Sequence, residues 1–398
     1  MEKPIYLDNH ATTQTDPRVL DAMLPFFCQQ YGNAGSTSHA FGWAAQAAVD
    51  QARQSIGQQI GAQTREIIFT SGATESNNLA IRGVCERTRR RGNHAISVAT
   101  EHRAVLDPLA RLEKHGFEVT LLPVRPHGHE DAGTIDVDQL AAAIRDDTVL
   151  VSVMAANNEI GVLQPMEEIG RCCRQRGVVF HTDATQAVGK IPVDVDRWQV
   201  DLMSFSGHKV YGPKGIGALF VRRRTPRVRL ESQIDGGRQE YGFRSGTANV
   251  PGIVGLAKAL ELCSDEGLDE NSRLAHLRDH LYHGLQQRIS GILLNGPALQ
   301  LTHLRLPGNL NCCFGDVDGE ALMMNMRDLA VSSGSACSSA DPAPSHVLQA
   351  LGLNTDQTRA SLRFGLGRFN TMEQVEFAIQ SVTAAVHHLR QLHGSDQA

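Results

Sequence analysis

Several residues able to do chemistry stand at the ends of apolar runs in this chain. Lys209 follows the run 202–205 through Ser206-Gly207-His208, and Gly212-Pro213-Lys214-Gly215 comes shortly after it. A second apolar run, 216–221, comes next. A lysine on a tight connection between two apolar strands is held beside a dry interior. Desolvation there lowers its pKa and frees the amine to attack a carbonyl, so Lys209 reads as a Schiff-base lysine. Asp183 ends the apolar run 178–182. A carboxylate in that place needs a cation, and a protonated pyridine nitrogen would serve. Glu101-His102 follow the run 95–99. His102 is either a helix-capping residue or a ring stacked on a planar group and available for proton transfer. The run 66–70 leads into Ser71-Gly72-Ala73-Thr74. Free N–H groups at a helix start, with the Thr74 hydroxyl, suit a phosphate, and ordinary capping is the alternative. The glycine spacing is neither a Walker nor a dinucleotide fingerprint. Asn157-Asn158-Glu159 follow the run 149–156 and suit either a hydrogen-bonding site or a turn.

A phosphate cradle, a stacking ring, an acid for a pyridinium nitrogen and a Schiff-base lysine together describe a pyridoxal 5'-phosphate (PLP) site. The elements that must position them alternate along the chain. Strands are expected over 66–70, 95–99, 118–122, 149–155, 178–182 and 202–205, separated by helical stretches. This is the rhythm of an α/β fold with a mostly parallel sheet, in which ligands sit at the carboxyl ends of the strands. A long helix is expected over 41–60, and another over 251–288 leading away from the sheet. Shorter strands follow over 291–294, 308–314, 329–332 and 362–364, then a helix from Met372. These predict a smaller α+β domain. The expected division is 15–260 for the large domain, with 1–14 and 261–398 forming the small one.

Composition agrees with an ordinary globular enzyme: 41% hydrophobic and 20% charged residues over 398 positions. The net charge of −5 disfavours a direct nucleic-acid role. Two basic clusters, 87–91 and 222–229, read as solvated faces, or as a docking patch for an acidic protein. No apolar run approaches a membrane span and no signal peptide is visible at the start, so no membrane role is expected. None of the eight cysteines forms a C-x-x-C pair, so neither a metal site nor structural disulfides are expected, and a cytoplasmic location fits.

The motifs Ser71-Gly-Ala-Thr-Glu-Ser-Asn-Asn, Asn157-Asn-Glu-Ile-Gly, Asp183-Ala-Thr-Gln, Ser206-Gly-His-Lys-Val-Tyr-Gly-Pro-Lys-Gly, Arg244-Ser-Gly-Thr and Ser332-Ser-Gly-Ser-Ala-Cys-Ser-Ser occur in that order. On these the sequence resembles the cysteine desulfurases of PLP fold type I, within the class-V aminotransferases, and among them the iron–sulfur-assembly and nitrogenase-associated group. The resemblance implies Lys209 as the cofactor lysine, Asp183 at the pyridine nitrogen, Gln186 at the ring hydroxyl and His102 against the ring. It implies Thr74, Ser206 and His208 at the phosphate, with Thr247 reaching the phosphate of a neighbouring subunit in a homodimer. Asn158 and Arg363 are implied for the substrate carboxylate. Cys337, in a stretch rich in Ser and Gly with prolines after it, is implied as the nucleophile that takes sulfur from L-cysteine. It would then pass that sulfur to an acceptor protein such as an iron–sulfur scaffold. A selenocysteine lyase, an aminotransferase and a non-catalytic scaffold are the competing readings. Arg238 stands where the group commonly has a third glycine.

Overall fold

Seven strands, most of them buried on both faces, make the central sheet of the computed structural model, which describes residues 4–333 and 344–395. After the dipeptide strand β1 (Ile5–Tyr6) these are β2 (Ile67–Thr70), β3 (His94–Val98), β4 (Glu118–Leu122), β5 (Thr148–Ser152), β6 (Val179–Asp183), β7 (Leu202–Ser206) and β8 (Gly217–Val221). Their order is β2-β8-β7-β6-β5-β3-β4. Only β8 runs against its neighbours; the pairs β3–β4, β3–β5, β5–β6 and β6–β7 are parallel. Runs of Ile, Leu, Val and Phe without polar alternation are what a sheet covered by helices on both faces requires. One apolar core lies on each face. Ile67, Phe69, Val151 and Phe180 point into one, and Ile68, Ala95, Leu150 and Leu202 into the other.

Because β2 and β7 both run antiparallel to β8, the ends of β2, β3, β5, β6 and β7 open on the same side. Gly72 and Gly217 meet on that side. Gly72 has φ +155°, and a Cβ on Gly217 would lie 2.6 Å from the Gly72 Cα. Only glycine permits this approach of two backbones.

The helix Val250–Arg288 has 39 residues and spans about 58 Å at 1.5 Å per residue. Its first half buries Ile253, Leu256 and Leu260 in the large core, and its second half buries Leu274, Leu277, Leu281 and Leu285 in a separate core. That second core backs a four-stranded sheet of order β12-β13-β10-β9, made of β9 (Ile292–Leu294), β10 (Asn309–Phe314), β12 (Ser332–Ser333) and β13 (Ser361–Gly365). The helix Met372–Ser395 packs on it through Val375, Ile379, Val382 and Val386. Val347, Leu348, Leu351 and Leu353 return to the large core.

The single strand expected over 329–332 is a different structure. β11 (Leu329–Ala330) pairs with β1, whereas β12 pairs with β13 in another sheet. The chain changes partners between them. The basic cluster at 222–229 is not simply a solvated face either. Arg222 is buried, donating to the Val195 and Val200 carbonyls and to Asp196, and Arg224 pairs with Glu66 and Asp196.

Candidate active site

At the strand ends lies a cavity of about 570 Å³, in the size range of small-molecule sites. Thr74, His102, Asn158, Asp183, Gln186, Ser206, His208, Lys209 and Arg363 all line it, so nine of the eleven residues singled out in the sequence meet in one place. Thr247 does not; it is exposed in the single chain. Cys337 lies outside the described residues.

Lys209 ends a single 3-10 turn, Gly207–Lys209, directly after β7. Its Nζ donates to the carbonyl oxygens of His10 and Ala11, each at 2.6 Å. These belong to the N-terminal segment, which crosses the cavity floor and is tied down by Thr13 N donating to the His208 carbonyl and by Tyr211 N donating to Thr13 Oγ1. Asp183, the last residue of β6, is buried and accepts two hydrogen bonds. Asn77 Nδ2 donates to Oδ2 at 2.7 Å and Thr185 N to Oδ1 at 2.9 Å. One step back along the same face of β6, His181 sits between the Ser152 and Ser204 hydroxyls, and burial drops its pKa to about 4. It is a neutral ring beneath the aspartate.

His102 caps a helix and also lines the cavity. Its Nδ1 accepts from Ala104 N at 3.1 Å, capping the helix Arg103–Glu113, while the ring lines the cavity. The capping bond leaves the neutral ring's proton on Nε2. Burial lowers its pKa against the opposing pull of Asp183. Glu101 beside it is wholly buried, and burial followed by repulsion from Asp183 raises its pKa well above the usual carboxylate value.

The cavity is also lined by the first turn of the helix Ala73–Thr88, whose N–H groups have no intrahelical acceptor and suit a phosphate, together with Ser206 and His208. His208 bonds Thr12 Oγ1 at 3.1 Å, and burial followed by Lys209, Lys214 and Lys190 lowers its pKa to about 4. At the other end, buried Arg363 donates from Nη1 to the Asn158 carbonyl at 3.0 Å, and from Nη2 to Asp8 at 2.7 Å and to Ser332 Oγ at 3.1 Å. Its Nε is buried without a hydrogen-bond partner among the described residues. Glu159 is also wholly enclosed. The Ser345 hydroxyl donates to it, and burial pushes its pKa up to about 7.

These residues fit PLP: a helix start and hydroxyls for phosphate, a doubly hydrogen-bonded carboxylate for a pyridinium, an amine for an aldehyde and a guanidinium for a carboxylate. The sequence reading missed His10 and Asn77 as site residues. Asn77 lies three residues beyond Thr74 on the same helix, a spacing that turns both toward one side. His10 offers no comparable local signal.

Residues 5–377 match the model of the family described as aminotransferase class-V. The chain belongs to that family. Class-V aminotransferases are PLP enzymes, and the α/β fold with its mostly parallel sheet agrees. Among curated relatives, a protein of Anaeromyxobacter dehalogenans named cysteine desulfurase IscS is 54% identical over 392 residues, covering 98% of this chain and 95% of the relative. One of the same name from Rickettsia africae is 49% identical over 389 residues, covering 98% and 92%. Among solved structures, a NifS-like protein superposes with a TM-score of 0.88 at 34% identity, covering 97% of this chain and 100% of the other. SspA in complex with cysteine gives 0.80 at 35%, covering 92% and 99%.

Proposed function

We propose that this class-V family member is a PLP-dependent cysteine desulfurase that converts L-cysteine to L-alanine and carries the sulfur away on Cys337. The observation that carries the reading is the convergence of Lys209, Asp183, His102 and Arg363 on one cavity, in a chain about half identical to proteins named cysteine desulfurase.

When bound, PLP supplies an electron sink that makes the substrate Cα–H labile. The roles of this chain's residues follow from their chemistry. Lys209 Nζ would hold the cofactor through its aldehyde carbon and, once displaced by substrate, would serve as the base that moves the Cα proton. Asp183 would accept from the ring N–H and favour a protonated nitrogen; Asn77 and Thr185 orient its oxygens. Gln186 would donate to the ring oxygen, and Thr74, Ser206 and His208 would hold the phosphate. His102, its proton on Nε2, would stack against the ring. Asn158 and Arg363 bind the substrate carboxylate, with the Arg363 Nε–H available for it. The Cys337 thiolate attacks the substrate sulfur. An S–S bond forms and the C–S bond breaks; its electron pair stays on carbon and is protonated, giving alanine and a persulfide on Cys337. An acceptor protein's thiol then takes the outer sulfur. The name of the relatives supports an iron–sulfur scaffold as acceptor.

The functional unit in this reading is a homodimer in which Thr247 reaches the partner's phosphate site. Support comes from Leu24, Phe27, Tyr31, Phe41 and Trp43, large apolar side chains left exposed on and between the N-terminal helices of the single chain. A cytoplasmic location is part of the same proposal. No helix among the described residues is long and apolar enough to cross a membrane.

The test is to incubate the purified protein with L-cysteine, measure alanine, and look by mass spectrometry for one added sulfur on the Cys337 peptide. Formation of a keto acid in place of alanine would refute desulfuration and favour transamination. Alanine production without the added sulfur would remove Cys337 from the mechanism.

A further inference from the structure

His10 is buried, lines the cavity and has a use that the reaction as derived above leaves open. Hydrogen-bond polarity fixes its chemical state. Gln186 Nε2 lies 2.9 Å from the His10 carbonyl oxygen, which can only accept, so that end of the amide is the NH2. The other end, Oε1, is therefore an acceptor. It receives Lys190 Nζ at 2.5 Å and faces His10 Nδ1 at 3.1 Å. His10 Nδ1 must then carry the ring proton, and Nε2 presents a lone pair. Nε2 is buried with no hydrogen-bond partner among the described residues. The ring is held in place against the backbone of Gly365, where a Cβ would lie only 3.0 Å from the His10 Cδ2. Burial, then Lys190 and Arg363, and finally Lys209, disfavour a second proton and hold the pKa well below the imidazole range. A buried acceptor without a donor is costly, and beside this cavity a bound ligand is the group placed to complete it.

We propose that His10 is a further ligand-contacting residue of this site, a neutral imidazole whose Nε2 accepts a hydrogen bond from an O–H or S–H group of the bound ligands. The inference rests on the cysteine desulfurase reading. Two donors have that chemistry: the hydroxyl of the cofactor ring and the thiol of the substrate. The surrounding cations make His10 an acceptor and not a base, so it orients the donor without taking its proton.

The experiment compares wild type with His10→Phe, which keeps a flat ring without the lone pair, and His10→Gln, which restores an acceptor. PLP affinity of the apoprotein and the pH dependence of the bound cofactor's visible absorption are read first. KM for L-cysteine and binding of S-methyl-L-cysteine, which lacks the thiol proton, follow. A loss of about tenfold in PLP affinity with a shifted absorption titration, repaired by His10→Gln, assigns the ring hydroxyl; about tenfold is the scale of one hydrogen bond. A rise of about tenfold in KM for cysteine, with S-methylcysteine binding unchanged, assigns the thiol. Either result supports the proposal. All readouts within twofold of wild type in His10→Phe overturn it, as does a loss that follows a lowered melting temperature and is not repaired by Gln. Failure of the parent reading is separately visible, since wild type itself would then bind no PLP or release no alanine.

Discussion

Replacing Glu159 by glutamine should stabilise the protein in alkaline solution and leave it nearly unchanged in acid. The Glu159 carboxyl is enclosed, its pKa pushed from 4.5 up to about 7 by burial, which outweighs the hydrogen bond from Ser345 and the attraction of Arg363. A carboxyl whose folded pKa lies above its unfolded value holds a proton in the native state that the unfolded chain has released. Its contribution is therefore fully present below about 4.5 and is lost progressively as pH rises to about 7. The span between the two values corresponds to about 3 kcal/mol. Glutamine carries no charge at any pH, and its amide oxygen can still accept from Ser345. Urea unfolding of the two proteins at about pH 5 and about pH 8.5 isolates the effect, because the titration of every other group cancels in the difference. The expectation is a difference of no more than about 1 kcal/mol at the lower pH, where the unfolded carboxyl has begun to ionise, and about 3 kcal/mol in favour of glutamine at the higher. An equal difference at both values would refute the reasoning, since the carboxyl would then not titrate between them.

Three further outcomes follow from the site. Asp183→Asn replaces a carboxylate that accepts from Asn77 and Thr185 with an amide of half the accepting capacity; the loss of about 3 kcal/mol predicts a fall of roughly 100-fold in kcat/KM, and an unchanged value would remove Asp183 from the chemistry. Arg363→Lys keeps the charge but loses the planar fork, so KM for L-cysteine should rise roughly 10- to 100-fold with a smaller change in kcat; an unaltered KM would place the carboxylate elsewhere. Cys337→Ser should retain PLP and its visible absorption yet release no alanine. Normal desulfuration by that variant would identify another nucleophile.

The large sheet was readable because most of its strands are buried on both faces and appear as apolar runs, the half-exposed edge strand Glu118–Leu122 being the exception. Each of the seven observed strands lies within a few residues of the expected one, and Glu118–Leu122 matches at both ends. The same signal marked the chemistry: an ionisable residue ending such a run, as Asp183 does, stands out against its own strand. The stretch from Leu329 to Ser333 was not readable, because two dipeptide strands have no pattern of their own. Their pairing is decided by Ile5 and Tyr6 on one side and Leu362 and Arg363 on the other, residues that only the fold brings beside them. His10 was hidden for the same reason. What makes it a site residue is the Gln186 amide 176 positions away, and nothing in Asp8-Asn9-His10 announces that partner.

The arrangement of charge behind the cofactor face has its own logic. Glu101 follows β3 and Asp183 ends β6, two strands away in the sheet, and the Asp183 charge adds to the cost of ionising Glu101, yet their surroundings differ. Asp183 receives two hydrogen bonds that favour a carboxylate, from an amide and a backbone N–H. Glu101 is wholly buried and receives Met154 N on one oxygen, while its other oxygen has no partner among the described residues. Burial, helped by the Asp183 charge, thus favours the protonated form of Glu101. The neutral His181 ring below Asp183 adds no cation to compete for it. Of the pair, Asp183 is the one that lines the cavity, where a pyridinium nitrogen would meet it.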